Sequence, residues 1–432
     1  MNRIFLLCSL CLIIFSCKKS NPEPSPIIDQ TKSYSNKIVI DNAKLVGDSI
    51  SLSWSKLDTS EFVEYRIMRQ DYDGIIFKTI AASTNINSVK FVDKNIPYNY
   101  VINYQIEGRL KSGVYITSNT ASVNRLDITG FGINPFDAIF DKDNRLIYLF
   151  EKLGTISIYD LRRNEIVNKI SLTGTNGYSD FGIYNTKKEL YVPGNFGLGI
   201  YDAVTLQKID QIDISFNAIS VVSSNSNLYV ATNAWLQNPL KVYSRKTKKL
   251  ISQNGNFDDA RLKKIPDTDS EILEISLRSN TNNLNYYKFL QSGDLVNRLS
   301  QNNSYVTKAE IFEFFPDGKS YITSSNGAIY NSDMTFKATL SDGHLSFTSF
   351  DFNKNSNEIY AATQNKTIEV YDLNNYQHKR TIQTKAYPLK IFDDGSKIIC
   401  ISKPFESNDG YSYYGESASL RLGGIIIENL NK

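Results

Sequence analysis

The strongest constraint on this chain is repetition. A six-residue stretch at positions 368–373, I-E-V-Y-D-L, has near copies in I-S-I-Y-D-L ending at Leu161, L-G-I-Y-D-A ending at Ala203 and L-K-V-Y-S-R ending at Arg245. Weaker copies are N-Y-Y-K-F-L, G-A-I-Y-N-S and G-I-I-I-E-N. Their anchors, Tyr159, Tyr201, Tyr243, Phe289, Tyr330, Tyr371 and Ile427, are spaced by 42, 42, 46, 41, 41 and 56 positions. Such a period marks a supersecondary unit that buries its apolar face only against its neighbours.

Each copy carries further repeated pieces. A preceding strand recurs with anchors Tyr148, Tyr191, Tyr229, Leu273, Tyr321, Tyr360 and Ile399. Ahead of it lie a short apolar strand and a turn such as D-K-D-N or P-D-G-K, and a polar outer strand such as E-I-V-N-K-I-S-L follows the anchor. The connecting pieces lack helical spacing. Four strands in each of seven units predict a seven-bladed β-propeller over residues 126–432. The last anchor strand is followed only by Asn431 and Lys432, so it has no outer strand of its own. V-N-R-L-D-I-T-G at 123–130 reads like V-N-K-I-S-L-T-G at 167–174 and is predicted to supply that strand and close the ring.

Residues 1–16 carry one positive charge at Arg3 and an apolar run from Ile4 to Phe15, the build of a secretory signal and too short to span a bilayer. The run ends I-I-F-S-C at Cys17, which resembles the lipobox of bacterial lipoproteins, with Phe15 bulkier than the usual occupant. The resemblance implies cleavage before Cys17, lipidation of its sulfur and a protein held at a membrane, the outer membrane of the cell envelope being expected. Residues 17–35, with three prolines, read as a flexible tether. The acidic run that resembles a surface-export signal in Bacteroidota is missing after Cys17, and periplasmic and surface exposure both stay open. Cleavage would leave Cys17 and Cys400; the latter lies in the apolar strand K-I-I-C-I-S and is expected as a buried thiol.

Residues 36–125 alternate apolar and polar positions over seven short candidate strands, the pattern of an antiparallel sandwich. Ile50, Leu52 and Trp54 share one face, and Tyr65 and Ile67 another. Trp54, Tyr65, Tyr104 and Ile106 stand where a fibronectin type III domain keeps its core tryptophan, tyrosine and Y-x-I pair, and the segment resembles that family. The expected fold is thus all-β: an immunoglobulin-like sandwich followed by a propeller. Within the repeats, Gly343-His344 and Tyr371-Asp372 make the sixth unit resemble a WD repeat, and the whole is similar to YVTN-type or quinoprotein-like propellers. That resemblance implies architecture and no particular activity.

Composition narrows the chemistry. With 48 basic and 45 acidic residues the net charge is +3, which does not suit nucleic-acid binding, and two histidines leave little room for histidine-based catalysis or metal binding. No nucleophile elbow, phosphate loop or dinucleotide fingerprint is present. Asp141 to Asn144 lacks the twelfth-position glutamate of a calcium loop and reads as a turn. His344 reads as a structural hydrogen-bonding residue and His378 as solvated. Asp160, Asp202 and Asp372 read as turn caps. No cofactor, metal or catalytic residue is expected.

Candidate ligand contacts are Trp235 in T-N-A-W-L-Q-N-P-L, and Phe405, Tyr411, Tyr413 and Tyr414 in the long loop 403–419. The expected function is that of a membrane-anchored, non-enzymatic binding or scaffold lipoprotein displaying loops to a protein or glycan. The alternative is a carbohydrate-active propeller hydrolase or lyase with carboxylates in its channel.

Overall fold

The computed structural model describes residues 37–70, 76–234, 238–255, 257, 259–277, 283–302, 307–340, 344–406 and 424–432. Among these the chain is all-β apart from one short 3-10 turn at Ala309–Ile311. Its first part forms two antiparallel sheets. One joins Ile40–Val46, Ser49–Trp54 and Lys90–Asp93; the other joins Phe77–Ser83, Phe62–Gln70, Val101–Leu110 and Tyr115–Thr117, with Ala121–Asn124 also paired to Val101–Leu110. The sequence reads one strand where Tyr115–Thr117 and Ala121–Asn124 are separate.

Alternation decides the packing. Residues of Ser49–Trp54 are buried at every second position, and Val101–Leu110 follows the same rule for ten residues. The buried set from both sheets forms one core in which Trp54 meets Tyr65 edge to face at 5.7 Å. Asp93 of the smaller sheet accepts hydrogen bonds from Arg69 Nη1 and Tyr104 Oη of the larger, each at 2.8 Å, so its buried charge is paired across the two sheets.

Seven four-stranded antiparallel sheets follow, over 135–171, 180–213, 218–254, 260–302, 313–339, 347–383 and 387–431, the last completed by Gly130–Phe131. Each successive pair shares a buried apolar core: Tyr148 with Leu190 for the first two, Ile200 with Val230, Ala231 with Leu262, Leu273 with Tyr321, Ile329 with Ala361, and Val370 with Ile398. The seventh and first sheets share one as well, through Ile399 and Ile425 with Ile147 and Leu149. The series therefore closes on itself in a propeller-like arrangement. Arg145 of the first sheet pairs with Asp394 of the seventh at 2.9 Å across the closure.

The final sheet takes its fourth strand from Gly130–Phe131, paired to Ile426 and Ile425, and Ile427 N donates to Thr129 O at 2.9 Å. Val123 and Asn124, which the repeat pattern assigns to the same closing strand, pair instead with Ile102 and Val101 in the first unit. The burial of Val123 in that unit's core gives the physical reason.

All seven anchors are buried. In six sheets the pairing between the third and outer strands shifts by one residue at the anchor, as between Ile158 and Tyr159 or Val370 and Tyr371. Such a bulge adds local twist, which splays the outer strand while the anchor stays in the core.

Candidate functional site

The first strand of each sheet runs along the inside of the ring, and one register position can be followed around it. Opposite the second-strand anchors stand Ile139, Asp180, Val222, Lys263, Phe314, Asp351 and Phe392. All but Phe314 line a central cavity of about 590 Å³, the fifth sheet contributing Glu313 there instead. A ring core could be apolar throughout, yet this one places charged side chains from six sheets around one space.

Part of that polarity serves the fold. The inner edge of each first strand has no further strand to pair with, and a buried amide needs an acceptor. Side chains of the preceding sheet supply it. Asp180 Oδ2 accepts from Ser223 N at 2.9 Å, Asp351 Oδ2 from Asp393 N at 2.5 Å, Ser220 Oγ from Leu262 N at 3.0 Å and Ser349 Oγ from Ile391 N at 3.3 Å. Burial pushes the carboxyl of Asp180 up to about 6 and that of Asp351 up to about 7, against the lowering effect of these amides.

The rest is ionic. Arg261 donates through Nη1 to the carbonyls of Ala309 and Glu310, both at 3.0 Å, and through Nη2 to Asp137 at 3.3 Å, with its guanidinium 4.1 Å from the Tyr178 ring centroid. Glu313 accepts from Lys263 Nζ on Oε2 at 2.5 Å and from Lys390 Nζ on Oε1 at 2.9 Å. Three sheets thus meet at one carboxylate. Burial works to raise its pKa, but Lys263, Lys390 and Arg261 together hold it well below the usual carboxylate range. Burial lowers Lys263 to about 8, against the attraction of Glu313. These groups could bind an anion or, through Asp351 beside Glu313, exchange a proton.

The residues singled out from the sequence are elsewhere. Cys17, Trp235, Tyr411, Tyr413 and Tyr414 lie outside the described residues, as does Gly343. Phe405 is half-buried beyond the strand Lys397–Lys403. Cys400 is a buried free thiol, raised by burial, beside Ser402 Oγ. Asp141 ends the strand Pro135–Asp141 just before the turn, and its carboxylate accepts from Asn144 and pairs with Lys188 at 2.8 Å. His344 is exposed. His378 is exposed, as expected, and it also has partners: its Nε2 lies 2.8 Å from Glu369 Oε2 and its ring meets Tyr371 edge-on.

Sequence reasoning passed over Asp180, Lys263, Glu313, Asp351 and Lys390 by treating the first strands as simply apolar. The available signal was a charged residue inside strands such as A-R-L-K-K and Y-P-L-K-I-F-D, aligned on the anchors. Compared with known proteins, the chain matches no family model and no curated protein sequence.

Proposed function

We propose that this chain is a lipid-anchored, non-enzymatic binding or scaffold protein of the cell envelope. It comprises a leader over 1–16, lipidation at Cys17, a tether to residue 35, a fibronectin type III-like sandwich over 36–125 and a seven-bladed β-propeller over 126–432. The propeller loops bind a protein or glycan. The closed series of shared cores carries this reading, because a ring of seven mutually supporting sheets is a rigid platform whose strand ends are the places left for recognition. Trp54 against Tyr65 supports the sandwich family, and I-I-F-S-C supports the anchor. Two measurements test it. Palmitate labelling in a Gram-negative host is expected for the natural chain and not for Cys17→Ala. Affinity capture from envelope extract, alongside a glycan array, is expected to lose its ligand when Trp235 and Tyr413 are both replaced by alanine; undiminished capture would remove the loop site.

One observation favours the second reading, a carbohydrate-active hydrolase or lyase. Asp351 is raised to about 7 while Glu313 is held ionised in the same cavity, and carboxyl groups driven apart in this way suit acid and base roles. Release of reducing sugar from envelope polysaccharides, abolished by Asp351→Asn and by Glu313→Gln, would establish it.

A further inference from the structure

Five acidic and five basic side chains line the central cavity, but they are unevenly partnered, and two lysines converge on one carboxylate. Among the acids lining it, Asp137 is taken by Arg261, and Asp393 is taken by Lys432 Nζ at 2.5 Å and Asn353 Nδ2 at 2.7 Å. Asp180 and Asp351 are each engaged by a backbone amide of the next sheet, Ser223 N and Asp393 N. That leaves Glu313 facing both Lys263 and Lys390. An ammonium has three donors, and each of these lysines gives one to Glu313. Lys142 and Lys264 also line the cavity and are exposed, so it opens to solvent beside two further cations, an arrangement that draws anions inward. Its volume of about 590 Å³ is that of a small-molecule site.

We propose that the central cavity is a binding site for a small carboxylate- or phosphate-bearing molecule, with Lys263 and Lys390 as its charge partners. An acidic sugar and free phosphate share that chemistry. The proposal rests on these strand residues and not on the candidate loops.

Isothermal titration calorimetry on the full chain in detergent, against glucuronate, inorganic phosphate and glucose, tests this. At least one of the two anions binds and glucose does not. Binding of glucuronate alone identifies the acidic sugar as the source, and binding of phosphate alone identifies phosphate. Lys390→Gln weakens the bound anion by about tenfold or more. Glu313→Gln keeps the shape and removes the competing charge, so it strengthens binding several-fold, a sign opposite to that of structural damage. Affinity also falls as pH rises through about 8, where Lys263, which faces Glu313, Asp180, Arg261 and Lys390, loses its proton. Failure of both anions to bind, glucose binding as tightly as glucuronate, or weakened binding in a Glu313→Gln protein with unchanged circular dichroism would overturn the proposal.

Discussion

Glu274 sets burial against charge within a single side chain. Its Oε2 accepts from Asn285 Nδ2 and Tyr287 Oη, both at 2.7 Å, while Oε1 is buried with no partner, and burial raises its pKa from 4.5 to about 7. A folded-state value above the unfolded one means that the folded protein holds the proton more tightly. The stabilisation is complete below about pH 4.5 and is lost as pH rises through about 7. Glu274→Gln is therefore expected to flatten the fall in melting temperature between about pH 5 and pH 8, and to be more stable than the natural chain at the upper end by at most about 3 kcal/mol. An unchanged pH profile would assign the raised value elsewhere. Other residue roles were open to reading in advance. The aspartates after the anchors cap turns because a short carboxylate reaches amides two and three positions on: Asp160 accepts from Arg162 and Arg163, Asp202 from Val204 and Thr205, and Asp372 from Asn374 and Asn375. Glu274 was not legible, since a glutamate in E-I-L-E-I gives no sign of which face it occupies.

At the scale of the element, the closing strand joins the two parts of the chain. Gly130 pairs with Ile426, and a Cβ at Gly130 would clash with the ring of Tyr100, which packs with Ile128, Ala386 and Ile426. Gly130→Ala must displace that ring, and a loss of about 1–3 kcal/mol is expected in thermal or denaturant unfolding. A variant as stable as the natural chain would show that Tyr100 yields freely. The likeness between 123–130 and an outer strand located this closure within a few residues. It misplaced the pairing because V-N at 123–124 is equally suited to either sheet, and sequence does not say which partner lies closer.

For the whole molecule, the ring makes the stability of each sheet depend on both neighbours. Removing 424–432 takes away the third strand of the seventh sheet, leaves Gly130–Phe131 without its partner and strips Ile425 and Ile427 from the core shared with the first sheet. The truncated chain is expected to lose its sharp calorimetric transition altogether; a transition of unchanged temperature and width would mean that the sheets hold independently.

What the sequence determined by itself was the count of units, the order of strands and the buried identity of the anchors. These follow from local periodicity and from side chains that alternate across a strand. The tertiary structure decided which charges face one another. Lys263, Glu313 and Lys390 are 50 and 77 positions apart and meet only because three first strands line one cavity. Closure decided the partner of Gly130–Phe131 in the same way, for a contact between distant segments depends on where the whole ring places them and leaves no mark in the spacing of either segment.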